Sequence, residues 1–100
     1  MKKFIKRRIV LPYPFVRVYE EGTLYFGKAI PLKKYVTFYQ IEDDGLFAFR
    51  FADSKNINAY SVDLHGRVVR PRVLAREIGV GTYLVEDRGN EWRATKEMTV

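Results

Sequence analysis

The chain has 100 residues, 47% of them hydrophobic and 15% aromatic, which is enough to fill one small core and excludes disorder along its whole length. It has no cysteine, which removes disulfide frameworks, thiolate metal sites and cysteine nucleophiles together and fits a reducing, cytoplasmic compartment. A formal charge of +6 with a pI near 9.7 points to a polyanionic partner, with nucleic acid ahead of an anionic membrane surface.

In chain order, the first segment is basic: Lys2, Lys3, Lys6, Arg7 and Arg8 precede Ile9, Val10 and Leu11. Pro12 and Pro14 then break the apolar run and no small-residue cleavage site follows, so residues 1–12 read as a basic arm and not an export signal. No apolar stretch approaches the ~20 residues of a membrane span. Period-two alternation predicts strands over Phe15–Glu20 and Thr23–Phe26, then over Val36–Glu42 and Leu46–Ala52. The last two are joined by Asp43-Asp44-Gly45, residues that accept hairpin-turn conformations. Ile57–Asp63, Arg67–Arg70, Thr82–Asp87 and Glu91–Thr95 complete the strands, with Arg88-Gly89-Asn90 turning the last hairpin. Only two places suggest helix. Pro71–Ile78 has a proline at a plausible first position, Leu74 and Ile78 four apart, and Gly79 as a stop; Pro31–Tyr35 offers a single similar turn. The polar stretch 53–57 reads as a linker inside a single domain of residues 1–100.

The two sides of that linker are alike. Displaced by 44 residues and without a gap, Gly22–Gly45 lies over Gly66–Gly89 with six identities in 24 positions: Gly22 on Gly66, Val36 on Val80, Tyr39 on Tyr83, Glu42-Asp43 on Glu86-Asp87, and Gly45 on Gly89. These fall on turn and core positions, where backbone geometry restricts the choice of residue. The alignment predicts two ββαββ-like units, residues 15–52 and 58–95. One unit of that size hardly buries its own apolar face, so the two are expected to pair into one barrel or sandwich.

The segment Gly66–Val80, "GRVVRPRVLAREIGV", resembles the AbrB/MazE/MraZ group of swapped-hairpin DNA-binding domains (the SpoVT-AbrB type). Gly66, Arg67, Val68, Val69, Pro71 and Gly79 match the group's loop–strand–helix element outright, and Arg72, Leu74, Ile78 and Val80 match in type. "DLHGR", Asp63–Arg67, fits the Asp-x-x-x-Arg pattern of the MraZ branch, which carries two such units in one chain. The match covers about 30 residues well, and the whole chain only through the repeat. Arg70 departs from it, standing where the group has an apolar residue, and Ala75 replaces a common arginine. The first half has lost the Asp and Arg of the turn, and Gly27 stands where Pro71 stands in the second. The resemblance implies a swapped-hairpin β-barrel, mainly β with short helices, that binds duplex DNA as a transcriptional regulator. One chain supplies both units, and a homodimer stays open.

The expected nucleic-acid contacts are Arg67, Arg70, Arg72 and Arg76, with Lys28, Lys33 and Lys34 at the matching place in the first half. Guanidinium forks suit phosphate oxygens and the guanine edge. A strand sets Arg67 and Arg70 on opposite faces, so a barrel rim is needed to gather them. Asp63, Gly66 and Pro71 are expected to shape the turn, with Asp63 capping it or pairing with Arg67. His65, the only histidine, has no neighbouring nucleophile, and no triad or phosphate loop is present, so no enzyme activity is expected. No cofactor or metal is expected either, since Glu42-Asp43-Asp44 lacks the alternating ligands of a calcium loop. Tyr35, Phe38, Tyr39, Phe47, Phe49 and Phe51 read as core. Were they exposed, they would suit a barrel that stacks single-stranded DNA or RNA bases. A further reading is an antitoxin-like module that pairs with a protein partner.

Overall fold

The computed structural model describes residues 12–41 and 46–98 of the chain. The basic arm up to Leu11 and the Asp43-Asp44-Gly45 turn lie outside the described residues. Seven strands form in the order β1 (Phe15–Val18), β2 (Leu24–Phe26), β3 (Tyr35–Gln40), β4 (Phe47–Ala52), β5 (Tyr60–Ser61), β6 (Gly81–Asp87) and β7 (Trp92–Met98), with one helix, α1 (Arg72–Ile78), before β6. The period-two patterns therefore mark the strands, with shorter bounds at β1 and β5. The expected helical turn at Pro31–Tyr35 is not formed. Ile30 instead donates its N–H to Gly27 in a tight turn (3.1 Å), and the chain runs on without helix to β3. The Lys34 carbonyl accepts the Val62 N–H and Tyr35 pairs with Ala52 and Ser61, which holds the end of this segment extended; upstream of it stands Gly27. A Cβ there would overlap the Phe15 ring, so the place taken by Pro71 in the second half is open only to glycine in the first.

All pairings are antiparallel, in the order β2-β1-β6-β7-β4-β3-β5. The sheet curls into a half-barrel, and the segment between β5 and α1 bridges its two edges. Tyr25 of β2 lies opposite Arg67, and Val62, just after β5, lies opposite Val68. Phe26 N–H donates to Gly66 (2.7 Å), Val68 N–H to Leu24 (3.1 Å), and Val69 N–H to Ser61 (2.8 Å). Arg67–Arg70 was expected as a full strand. It makes this bridge through two residues and then bends away at Arg70, whose φ of 54° is the one positive value at a non-glycine position among the described residues. In that conformation Cβ crowds the following carbonyl, at a cost of roughly 1–2 kcal/mol.

One face of every strand fills the interior, as the two-residue period requires. Val16, Val18, Leu24, Phe26, Val36, Phe47, Phe49, Val68, Tyr83, Val85 and Ala94 come from both sides of the linker and form one cluster with Leu74 and Ala75 of α1. Five phenylalanines, Phe26, Phe38, Phe47, Phe49 and Phe51, meet at ring-centroid separations of 5.1 to 6.3 Å. Burial of such rings, at about 2–3 kcal/mol each, dominates what holds the barrel together. The linker is largely exposed, yet it folds back on the sheet through Asn56, whose amide donates to the Thr37 hydroxyl (3.4 Å).

Candidate nucleic-acid interface

The elements that carry the basic residues grow from two turns of the same construction. In the first, Tyr19 N–H donates to Thr23 (2.9 Å) and Gly22 N–H to Tyr19 (3.0 Å). In the second, Asp63 N–H donates to Arg67 (2.9 Å) and Gly66 N–H to Asp63 (3.2 Å). Each position in the second turn is 44 residues beyond its counterpart. Gly22 and Gly66 take φ values of 93° and 83°, in the left-handed region that favours glycine.

The second turn has a further fastening. The Asp63 carboxylate accepts the backbone N–H groups of His65 and Arg67, both at 2.9 Å. Desolvation acts to raise the pKa of Asp63. The two backbone hydrogen bonds and the nearby charge of His65 and Arg67 outweigh it and hold the carboxyl below its ordinary value. Asp63 thus meets Arg67 through the main chain, and the Arg67 side chain makes no ion pair among the described residues. It stands exposed on the outer face of the bridging segment, beside Tyr25.

Around this turn the first half contributes its lysines. Val62 N–H donates to the Lys34 carbonyl (2.9 Å), and a Cβ built on Gly66 would lie 3.6 Å from a Leu32 methyl. The loop that holds Lys28, Lys33 and Lys34 is thereby laid against Val62–Arg67, and all three lysines are exposed. Arg70 is exposed and without an ion pair among the described residues, at the end of the bridge where the chain turns into Pro71 and α1. Pro71 occupies the N-cap of α1 rather than its first helical position.

Arg72 and Arg76 are placed elsewhere. They line a groove of about 360 Å³ with Tyr19, Glu20, Glu21 and Gly22 of the first turn and with Gly79 and Val80 beyond α1. A Cβ on Gly22 would lie 3.5 Å from Arg72 Cγ. Two carboxylates, Glu20 and Glu21, share this groove with Arg72 and Arg76. Their presence was legible in "YEEGT", but their partner in space was not, since Glu20 and Arg76 are 56 positions apart.

Of the aromatics, Phe38, Phe47, Phe49 and Phe51 join the core, and Tyr39 is 45% exposed on the outer face with the Arg50 guanidinium 5.4 Å from its ring centre. Sequence reasoning missed the charge network beside it. Glu91 pairs with Arg50 (3.2 Å) and with Arg93 (3.3 Å). The Arg50 hydrogen bond, opposed by desolvation and joined by the hydrogen bond of Arg93 and the charge of both guanidinium groups, holds the Glu91 pKa below its ordinary value. Among the described residues no group of three or more His, Cys, Asp or Glu is placed to hold a metal, and no helix is long and apolar enough to cross a membrane. No protein-family model, curated protein or solved structure matches the chain.

Proposed function

We propose that the chain binds double-stranded DNA, as a cytoplasmic regulator of the AbrB-like type, through Lys28, Lys33, Lys34, Arg67 and Arg70. One observation carries this reading. Segments of both halves that carry these cations lie against the Asp63–Arg67 turn, the cations are exposed and make no ion pair among the described residues, and the turn's own carboxylate is spent on backbone N–H groups. Unpaired, exposed cations are the ones that can release counterions from a phosphate backbone. Arg67, on the outer face beside Tyr25, is the residue proposed to read a base edge, and the lysines to hold phosphates.

The same reading holds that the two halves are diverged copies of one hairpin unit that exchange partners. What supports it is the pairing. β1 pairs with β2 of its own half and with β6 of the other, while the β5 region pairs with Val68 of its own half and with β3 of the other. The test is duplex binding against salt. The affinity should fall with a log–log slope of about −0.9 per phosphate contacted, and Arg67→Ala should cost roughly 1–3 kcal/mol on a preferred sequence. Absence of duplex binding at ~50 mM salt would sink the proposal, because such contacts are strongest there. A second reading, single-strand binding on the outer face of β3, β4 and β7, is favoured by Tyr39 with Arg50 and Arg93 beside it. It predicts that Tyr39→Ala weakens single-strand binding and leaves the duplex untouched.

A further inference from the structure

The two turns are alike in backbone and opposite in electrostatics. We infer that, among the described residues, the Asp63–Arg67 turn and the lysine loop against it form a polyanion-binding face, whereas the equivalent face at Tyr19–Thr23, where Glu20 and Glu21 share a groove with Arg72 and Arg76, takes no anion. The choice of DNA as the natural ligand rests on the proposed function; the asymmetry does not.

The argument is a comparison at equivalent positions. The first turn carries Glu20 and Glu21 where the second carries Leu64 and His65, and Thr23 where the second carries Arg67. Across from the first turn lie Arg72 and Arg76; across from the second lies the loop of Lys28, Lys33 and Lys34. The first face therefore sets two carboxylates against two guanidinium groups in one groove. A phosphate approaching from outside meets both signs of charge in one groove, and their fields oppose each other. The C-terminal end of α1 at Ile78–Gly79 adds the negative end of the peptide dipoles to the same groove. Among the described residues the loop laid against the second turn is not helical, and the turn's own carboxylate, Asp63, already serves two N–H donors. Leu64, 97% exposed at the tip of that turn, leaves the approach open. The described residues of one chain then present one anionic-ligand face, and a two-fold symmetric DNA site would be filled by two chains rather than by the two halves of one.

Two double variants test this with equal loss of charge. K33Q/K34Q and R72Q/R76Q each remove two cations from the surface, so the overall net charge is the same and only position differs. Retention on immobilised heparin and affinity for a 20-base-pair duplex are measured for both, with thermal unfolding as a check on folding. K33Q/K34Q should elute from heparin at clearly lower salt and lose tenfold or more in duplex affinity. R72Q/R76Q should stay within about twofold of the wild type in both assays. E20Q/E21Q should gain affinity, and adding R72Q/R76Q to that background should remove the gain. Equal losses from the two cation pairs would overturn the inference, as would a wild-type protein that passes through heparin at low salt. If the asymmetry holds on heparin while the duplex is not bound at all, the inference stands and the DNA reading fails.

Discussion

Alanine at Gly22 and at Gly66 provides a sharp test of how the barrel closes. The two glycines sit at the same place in turns with the same hydrogen bonds, at φ 93° and 83°. A side chain in this conformation costs roughly 1–2 kcal/mol at either site. The surroundings differ. At Gly22 the new methyl would meet only Arg72, at an ordinary 3.5 Å. At Gly66 it would lie 2.9 Å from the Phe26 carbonyl oxygen, and backbone must move to admit it. Phe26 is the residue whose N–H donates to Gly66 at 2.7 Å, so that movement strains the bridge between the sheet edges. Overpacking of this kind adds about 1–3 kcal/mol. Gly22→Ala is thus expected to cost about 1–2 kcal/mol and Gly66→Ala about 2–5 kcal/mol. Urea unfolding followed by Trp92 fluorescence and by circular dichroism measures both, and with a slope of ~1 kcal/mol per molar the second midpoint should fall about 1 M or more below the first. Equal midpoints would refute the reasoning, because they would mean that the Gly66–Phe26 closure does not constrain the fold.

Three further outcomes follow from the same geometry. Phe49→Ala removes a fully buried ring packed on Phe26, Phe38, Phe51 and Trp92, and should cost about 3–5 kcal/mol in denaturant unfolding; a loss under ~1 kcal/mol contradicts its central place. Arg70→Gly relieves the positive φ, and after the entropy of the added glycine it should raise stability by about 0.5–1 kcal/mol, while weakening duplex binding. A variant that is both less stable and unchanged in binding would show that Arg70 packs within the fold. Glu91→Gln addresses the outer ion pairs. Because the folded carboxyl titrates below its ordinary 4.5, its contribution to stability is present above that pH and is lost as pH falls through the depressed folded value. The stability gap between wild type and Glu91→Gln should therefore be visible at neutral pH and close in acid; a gap that is constant across this range would show that the pairs with Arg50 and Arg93 contribute nothing.

What the sequence determined by itself was local. Alternation of apolar residues placed the strands, and Asp63 and Gly66 marked a turn in which a carboxylate fastens two N–H groups, because these preferences act over two to five residues. Pro71, Leu74 and Gly79 bounded α1 in the same way. The similarity at 44 residues also pointed to the two turns, whose hydrogen bonds do coincide. Tertiary structure decided the rest. Pairing of Lys34 with Val62, and of Tyr35 with Ala52 and Ser61, holds extended the end of the segment expected as a helical turn at Pro31–Tyr35, through contacts that no local pattern links. The bend at Arg70 ended the strand expected over Arg67–Arg70 after the bridges made by Arg67 and Val68. Closure of the barrel brought Lys33 and Lys34 to Asp63–Arg67, and brought Glu20 and Glu21 to the other arginines. Charge along a chain is a sum and charge on a surface is a placement. The net +6 is legible in composition, but which cations share a groove with carboxylates depends on contacts across about 30 to 60 residues that only the folded barrel makes.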